Sequence, residues 1–357
     1  MFRQGDGKII RVLIAEDSPV IAKVISSLLM SDPQIQVAGI ARNGVEAVEM
    51  TKQLKPDIIT MDIHMPVMDG YEATKQIMAY CPTPILIASA AVKADGIDRM
   101  FRAVSYGALD LLDISDIVIG DNDVSGEKFI ENIKLLSRIK VVHHLLAKFE
   151  VRKDAPSIRL AAPPQDKGLE KILAIVASTG GPNAIYTILK SLPQNFPYGV
   201  VLVQHITSGF LEQFANWLRT ESRLKVTIAQ DNEVIKPGTV YLAPCDLQMR
   251  VADHGVIKLA NEPLCEGHRP SGNVLLESVA RVYGDNAVGV ILTGMGKDGA
   301  RGMKQVKVAG GKTIAQDEAS SIVFGMPKEA IELGAADRVA SLDNIAREIV
   351  DMFKLGA

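Results

Sequence analysis

Residues 171–192 read KILAIVASTGGPNAIYTILKSL, and this stretch decides the fold predicted for the second half of the chain. It begins with a continuous apolar run at 172–177, which is typical of a strand buried on both faces of a sheet. Residues 183–192 carry apolar side chains every three to four positions, which predicts a helix packed on that sheet. Two glycines and Pro182 lie between them and favour a tight turn that leads into the helix.

The turn places the hydroxyl of Ser178 at the carboxyl end of the predicted strand. Ligands of open α/β sheets bind at that edge, where the N–H groups of Thr179 and Gly180 would face an incoming group. A serine beside free N–H groups indicates a nucleophile with an oxyanion site. Similar turns also hold phosphate, although the sequence fits neither G-x-G-x-x-G, nor G-x-x-x-x-G-K-[ST], nor the G-x-S-x-G elbow. The turn alone leaves both interpretations open.

The composition is that of a globular chain long enough for two domains. Its 357 residues are 47% hydrophobic and 23% charged with a formal net charge of -3, which argues against disorder and against general nucleic-acid binding. Cys81, Cys245 and Cys265 form no C-x-x-C pair, which indicates a reducing compartment rather than a disulfide framework or a zinc site. No apolar run approaches the ~18 residues that span a bilayer, and the amino terminus lacks an apolar signal region. We therefore expect a cytoplasmic protein without membrane insertion.

Polar side chains follow the predicted strands of the first half. Glu16 and Asp17 follow the first strand, and Asp62 ends the third. Three carboxylates at one sheet edge suit Mg²⁺, and one of them could accept a phosphoryl group beside the hydroxyl of Ser89, which follows the fourth strand. A lone acid here would be a solvated cap, but three acids with a hydroxyl favour a site.

The elements of this half are predicted as strands at 9–15, 37–41, 57–62, 84–88 and 108–112, with helices at 20–30 and 44–54.

The first part of the chain, taken as residues 1–125, closely resembles the receiver domain of two-component response regulators. The resemblance implies that Glu16 and Asp17 bind the metal together with Asp62. It also implies that Asp62, within MDIHMPVMDG, accepts phosphate from a histidine kinase and that Ser89 is the switch hydroxyl. Glu16 stands where the family usually has aspartate. Ile114, in GALDLLDI, stands where the family has a lysine, so we expect phosphorylation of Asp62 with altered transmission of the signal.

A helix and a linker are predicted between the two halves. Residues 127–150 carry an apolar stripe at helical spacing. His143 and His144 lie on this helix as neighbours that point in different directions, which favours solvated side chains over a shared metal. Residues 154–168 contain three prolines without apolar periodicity, which is typical of a linker. The predicted organisation is a receiver at 1–125, a helix and linker at 126–168, and a second domain at 169–357.

Several residues of the second half favour structural roles. Trp217 lies at helical spacing with Phe210 and Phe214, which indicates a core position rather than a ligand site. His254 lies in a hairpin turn between two predicted strands, where we expect it to be exposed and inert. The elements are predicted as strands at 172–177, 199–204, 225–229, 239–243, 247–251, 256–260, 287–292 and 312–315, with helices at 183–192, 211–219 and 273–282.

Ser178, His205 and Asp298 each follow a predicted strand directly or within a few residues. A parallel sheet would bring them to one edge, where a histidine can take the serine proton and an aspartate can fix its tautomer. His268 competes with His205 for the role of base, since a loop histidine can also reach the site.

The second domain, residues 169–357, resembles the catalytic domain of the chemotaxis receptor methylesterases. The resemblance implies that Ser178 is the nucleophile, His205 the base and Asp298 its orienting partner. It also implies that the backbone N–H of Met295 supports the oxyanion site together with the turn at Thr179 and Gly180. The motifs that carry the resemblance are ASTGGP at 177–182, QH at 204–205, HRPS at 268–271, VILTGMGKDG at 290–299 and FGMP at 324–327.

Together these patterns predict an α/β protein with two doubly wound parallel-sheet domains, a flavodoxin-like receiver and a Rossmann-like three-layer catalytic domain joined by a linker. The resemblances imply a phosphorylation-regulated protein-glutamate methylesterase that releases methanol from chemoreceptor glutamate esters and deamidates receptor glutamines through an acyl-enzyme. We expect Mg²⁺ in the receiver only, with chemoreceptors and a histidine kinase as partners. The rival interpretation is a response regulator whose second domain only binds a partner, and the intact Ser178, His205 and Asp298 favour the enzyme.

Overall fold

The structure, a computed structural model, describes residues 8–89, 106–115, 123–139 and 171–355, together with residues 101, 103, 104, 117 and 141. The chain divides into two compact units between Lys153 and Asp154. The linker predicted at 154–168 and the residues His143 and His144 lie outside the described residues. No helix in the described part is long and apolar enough to cross a membrane.

The first unit is a parallel sheet with helices between its strands. Its strands are β1 Ile10–Ala15, β2 Ile35–Ala41, β3 Ile58–Met61, β4 Ile85–Ser89 and β5 Asp110–Asp113, and its helices are α1 Pro19–Met30, α2 Gly44–Leu54, α3 Gly70–Tyr80 and α4 Asp123–Leu136. The five strands lie in the order β2-β1-β3-β4-β5. This is the flavodoxin-like order, which reverses between β1 and β3 and so opens a crevice at their carboxyl ends.

Three helices of this unit, α1, α2 and α3, begin at capping side chains. Ser18, Asn43 and Asp69 each accept a hydrogen bond from the backbone N–H three residues later. Such caps satisfy one of the N–H groups that a helix start leaves without a partner. The bounds predicted for the helix at 44–54 agree with those of α2 in the structure.

The helix predicted at 127–150 has different bounds where the structure describes it, and residues 140 and 142–150 of that prediction lie outside the described residues. It begins at Asp123 and ends at Leu136, and residues 137 and 138 form a turn. The Ser137 hydroxyl donates to the Lys134 carbonyl at 3.0 Å, so it competes for an acceptor that the next helical turn would use. Arg138 N–H instead donates to the carbonyl three residues earlier, which tightens the end of the helix.

The second unit contains a larger parallel sheet and a separate hairpin. Its strands are β6 Ile172–Ala177, β7 Gly199–Gln204, β8 Lys225–Ile228, β9 Thr239–Leu242, β10 Gln248–Ala252, β11 Val256–Ala260, β12 Ala287–Ile291, β13 Lys312–Gln316 and β14 Arg338–Ala340, and its helices are α5 Gly181–Ser191, α6 Ser208–Glu221, α7 Gly272–Tyr283, α8 Ala300–Val308, α9 Met326–Glu332 and α10 Leu342–Met352. The seven-stranded sheet has the order β14-β13-β12-β6-β7-β9-β8, while β10 and β11 pair antiparallel.

Strand β6 lies inside this sheet, between β12 and β7. The chain therefore leaves β6 towards one side and later returns to the other, which places a topological switch point at the carboxyl end of β6. In the register, Ala177 of β6 lies beside Gln204 of β7. The residues that follow these two strands begin at the same level of the sheet.

The predicted fold class is confirmed, since both units have parallel sheets with alternating helices. The expected core aromatics of the second unit are also confirmed, because Trp217, Phe210 and Phe214 are all buried. His254 is exposed in the turn between β10 and β11, as expected. Strand β14 and helices α8, α9 and α10 were not predicted.

Candidate active site

Three carboxylates meet at the crevice of the first unit. Glu16 and Asp17 follow β1, Asp62 follows β3, and oxygen atoms of the three lie within 4.8 Å of one another. The Asp62 N–H donates to the Ala15 carbonyl at 2.9 Å, which fixes Asp62 beside the end of β1. A cluster of hard oxygen ligands in a crevice suits a divalent cation such as Mg²⁺.

Burial makes Glu16 and Asp62 harder to ionise. Burial and then the charge of Asp62 raise the pKa of Glu16 from its usual range to about 7. Burial also raises the pKa of Asp62, although hydrogen bonds from the Ser89 hydroxyl and a backbone N–H oppose that shift. Close carboxylates that repel one another are the electrostatic setting in which a bound cation stabilises the charged forms.

The hydroxyl predicted to act as the switch contacts the predicted phosphoacceptor. Ser89 Oγ donates to Asp62 Oδ1 at 2.9 Å, and both residues are buried. Ile114 directly follows β5, its N–H donates to the Ser89 carbonyl at 3.2 Å, and its side chain is fully buried. Among the described residues, no lysine or arginine forms an ion pair with Asp62.

In the second unit, Ser178 directly follows β6 and is half-buried. Its N–H donates to the Thr293 carbonyl at 3.1 Å, and its carbonyl accepts from the Gly181 N–H at 2.7 Å. Gly180 between them has φ +76°, and a Cβ there would overlap the side chain of Ile322. The turn after β6 therefore needs glycine at this position.

His205 follows the neighbouring strand β7 and pairs with Asp298. The His205 N–H donates to the Ala177 carbonyl at 3.0 Å, which attaches the residue to the end of β6. Its Nε2 lies 2.9 Å from Oδ2 of Asp298, and the two side chains are 11% and 0% exposed. Within the described part of the chain, the buried Nδ1 atom of His205 has no hydrogen-bond partner. Nδ1 is thus the ring nitrogen that Asp298 does not engage.

The start of helix α7 holds the carboxylate of Asp298. Although burial opposes ionisation, hydrogen bonds from His205, Ser271 and Asn273 lower the pKa of Asp298 to about 2. The negative charge of Asp298 thus lies at the N-terminus of α7, where backbone N–H groups stabilise an anion. The donors at the helix start are the Ser271 hydroxyl at 2.6 Å, the Gly272 N–H at 2.6 Å and the Asn273 N–H at 3.1 Å.

The loop after β12 lies against the Ser178 turn. A Cβ at Gly294 would lie 2.7 Å from Cβ of Ser178, closer than carbon atoms can pack. The Gly294 N–H donates to the Val323 carbonyl at 3.0 Å, which fixes the loop just before Met295. In the part of the chain that the structure describes, the N–H groups of Met295, Thr179 and Gly180 have no hydrogen-bond acceptor.

His268 lies at the same site. Its ring stacks on that of His205 with centroids 3.9 Å apart and planes inclined by 9°. Ligand atoms of the two histidines and Asp298 lie within 4.8 Å of one another. The structure thus brings both candidate histidines together, and His205 is the one that contacts Asp298.

Sequence reasoning missed the partners of Asp298. Ser271 precedes a predicted helix within the quoted motif HRPS, and a serine there is a capping signal. The motif therefore indicated a helix start, but not that the start would bind a carboxylate from a distant loop. The buried side chain of Gln204, beside His205, was also not assigned a role.

Comparison with known proteins finds that each unit matches a known protein family. The CheB methylesterase family model matches residues 173–349, and the response regulator receiver domain model matches residues 12–113. The chain is 42% identical to protein-glutamate methylesterase/protein-glutamine glutaminase 1 of Syntrophus aciditrophicus (strain SB), covering 96% of this chain and 98% of that relative. It is also 42% identical to the protein-glutamate methylesterase/protein-glutamine glutaminase of Nitrosospira multiformis, and the match covers 98% of this chain and 100% of that relative. The crystal structure of the Thermotoga maritima CheB methylesterase catalytic domain matches 52% of this chain and all of its own chain, with 40% identity and a TM-score of 0.50.

Proposed function

The chain belongs to the CheB methylesterase family, and from that premise we propose that it hydrolyses glutamate methyl esters on chemoreceptors under the control of its receiver domain. Members of this family are protein-glutamate methylesterases, so the chain is an enzyme. The observation that carries the proposed chemistry is the contact between His205 and Asp298 beside the turn of Ser178.

In the proposed mechanism, the Ser178 hydroxyl attacks the ester carbonyl while Nδ1 of His205 takes its proton. The tautomer with a proton on Nε2 donates to Asp298 and leaves the Nδ1 lone pair available. The negative oxygen of the tetrahedral intermediate is stabilised by N–H groups of the turn at Thr179 and Gly180 and by that of Met295. His205 then returns the proton to the leaving methoxide, which departs as methanol and leaves an ester between Ser178 and the glutamyl carbonyl.

Water completes the cycle by the same steps. His205 takes a proton from water, the resulting hydroxide attacks the acyl-enzyme carbonyl, and the proton returns to Ser178 as the glutamate leaves. Asp298 remains ionised throughout because its pKa is about 2, and it stabilises the imidazolium that forms twice per turnover.

Receptor glutamines are proposed as second substrates of this site. The relatives are named as glutaminases as well as methylesterases. An amide can follow the same acyl-enzyme route, with ammonia instead of methanol as the leaving group that accepts the His205 proton.

Asp62 is the proposed phosphoacceptor of the receiver, with a histidine kinase as the source of the phosphoryl group. Glu16, Asp17 and Asp62 would hold Mg²⁺, which neutralises the charge of the donor phosphate when it is bound. Ser89 lies in hydrogen-bond contact with Asp62 and would hold an oxygen of the product. We place the protein in the cytoplasm, since its three cysteines are free thiols.

Two measurements test the proposal against a second domain that only binds a partner. A fluorophosphonate probe should label the wild type on Ser178. In a separate assay without the probe, the wild type should release methanol from methylated receptor. Ser178→Ala should prevent both. Methanol release that persists in Ser178→Ala would exclude this mechanism, and a wild type that neither reacts with the probe nor releases methanol would favour the binding domain.

A further inference from the structure

Three glutamines are buried at ends of strands in the second unit. Gln204 is 4% exposed and ends β7, while Gln248 and Gln316 are fully buried at the start of β10 and the end of β13. Burying a primary amide is costly unless its polar atoms find hydrogen bonds. None of the three is needed as an acid, base or nucleophile in the proposed reaction, so their partners indicate what they do.

The amide of Gln204 links the backbones of Ser178 and His205. Its Nε2 donates to the Ser178 carbonyl at 2.9 Å and to the His205 carbonyl at 2.9 Å. Both hydrogens of the amide are therefore used, one on each residue. The two carbonyls belong to adjacent strand ends, so the amide bridges the gap at the point where each chain leaves the sheet.

The orientation of this amide is determined by its surroundings. If Oε1 occupied the position of Nε2, it would face two carbonyl oxygens without a proton between them. Among the described residues, Oε1 has no hydrogen-bond partner, and it lies against Gly181, where any Cβ would overlap it. A buried acceptor without a hydrogen bond destabilises the folded protein. A glutamine with this unsatisfied acceptor is poorly explained by stability alone.

The other two glutamines link further parts of the site. Gln248 Nε2 donates to the His268 carbonyl at 3.1 Å, and its Oε1 accepts from the Ser271 N–H at 2.9 Å. Gln316 Oε1 accepts from the Thr293 N–H at 2.8 Å, beside the carbonyl that holds Ser178. Buried amides thus connect backbone segments of the site at three places, and Gln204 connects the two residues that exchange a proton.

We propose that Gln204 is a positioning residue that fixes the backbone of Ser178 relative to that of His205 for proton transfer. The proposal rests on the roles proposed above for Ser178 and His205. Reactions between groups held in place are sensitive to geometry, and a displacement of about 1 Å can cost roughly 100-fold in rate. Loss of the bridge should therefore lower the rate of the chemical step without changing receptor binding.

The test compares Gln204→Met with wild type in the full chain, using methylated receptor as substrate. Methionine has a similar length and volume but donates no hydrogen bond. We expect kcat to fall by roughly 10- to 100-fold, with KM within about twofold of wild type. The rate of labelling by the fluorophosphonate probe should fall in parallel. Gln213→Met is the matched control, since Gln213 lies on α6 with a buried Oε1 that also has no partner among the described residues, and it should leave all three quantities unchanged.

A second variant, Gln204→Glu, gives a signature that packing alone would not give. Its carboxylate would face the carbonyl oxygens of Ser178 and His205, while its protonated form can donate to one of them. Burial raises the pKa of such a carboxyl group. The activity of Gln204→Glu relative to wild type should therefore rise as pH falls, whereas that of Gln204→Met should not change with pH. This variant also allows the positioning role to be tested if Gln204→Met does not fold.

Each outcome distinguishes this inference from the proposed function. Wild-type kcat in Gln204→Met, a change confined to KM, or a loss explained by a smaller titratable fraction of active sites would each overturn the positioning role. A relative activity of Gln204→Glu that is independent of pH would do the same. An active Ser178→Ala would instead overturn the proposed function, whatever the glutamine variants do.

Discussion

Replacement of Ile114 by lysine should increase the response of the esterase to phosphorylation. Receivers that resemble this one have a lysine at this position, and the resemblance implies that it contacts the phosphoryl group. Here the side chain at position 114 is a fully buried isoleucine, which offers no charged donor to a phosphoryl group. We therefore predict that a phosphodonor raises methanol release less in this protein than in a relative with the lysine.

The size of the effect follows from the missing contact. A hydrogen bond to a charged group contributes about 1.5–3 kcal/mol, which corresponds to roughly 10- to 100-fold in a two-state equilibrium. A ligand shifts such an equilibrium only by its different interaction with the two states. An isoleucine at position 114 contributes no such bond to either state, and a lysine there would supply the missing part of that difference.

The assay is methanol release from methylated receptor with Mg²⁺, with and without a small phosphodonor. Wild type, Asp62→Asn and Ile114→Lys give the comparison, and Ile114→Met is the control that keeps an apolar side chain at the buried position. Ile114→Lys should show a larger ratio of phosphorylated to unphosphorylated activity, and Ile114→Met should match wild type. Strong Asp62-dependent activation of the wild type, or an unchanged ratio in Ile114→Lys, would refute the reasoning.

Three further predictions concern the second unit. Ser178→Ala should lower ester hydrolysis by on the order of 10⁴-fold with the fold intact, and more than a tenth of wild-type activity would remove Ser178 from the mechanism. Because the pKa of Asp298 falls from 3.8 to about 2 on folding, its ionisation should stabilise the unit by about 2 kcal/mol above pH 4, and this contribution should be lost as pH falls through about 2. Urea unfolding followed by the fluorescence of Trp217, the single tryptophan, should therefore show a smaller loss of stability between pH 5 and pH 2 in Asp298→Asn than in wild type. The fragment 169–357, the domain we propose from the sequence, should be at least as active as the unphosphorylated full chain, and a folded but much slower fragment would contradict inhibition by the receiver.

The positions of Ser178, His205 and Asp62 at strand ends were predictable from sequence. Strands β6, β7 and β3 are largely apolar in sequence, and Ser178, His205 and Asp62 directly follow them, at the edge of their sheets. Parallel sheets then bring these edges together, so an order of elements suffices to predict a shared site. The sequence alone thus predicted which of these side chains lie at strand ends.

The surroundings of Asp298 were not predictable in this way. Asp298 lies seven residues past β12, and its position depends on a loop rather than on a periodic pattern. Its contacts with Ser271 and the start of α7, and the stacking of His268 on His205, join segments that are distant in sequence. The end of α4 was missed for a local reason, since the hydroxyl of Ser137 bonds a helix carbonyl and an apolar stripe does not reveal that competition.

The attachment of the site to the large sheet also bears on how the enzyme should respond to heat. The Ser178 N–H donates to the Thr293 carbonyl just past β12, and the His205 N–H donates to the Ala177 carbonyl at the end of β6. Asp298 is held by three donors at the start of α7. Local openings with low free energy occur in segments that have few buried contacts and exposed hydrogen bonds, and these three residues lie in the opposite setting. On heating, the catalytic geometry should therefore persist up to the temperature at which the sheet itself unfolds, so that inactivation and loss of the fold form a single transition.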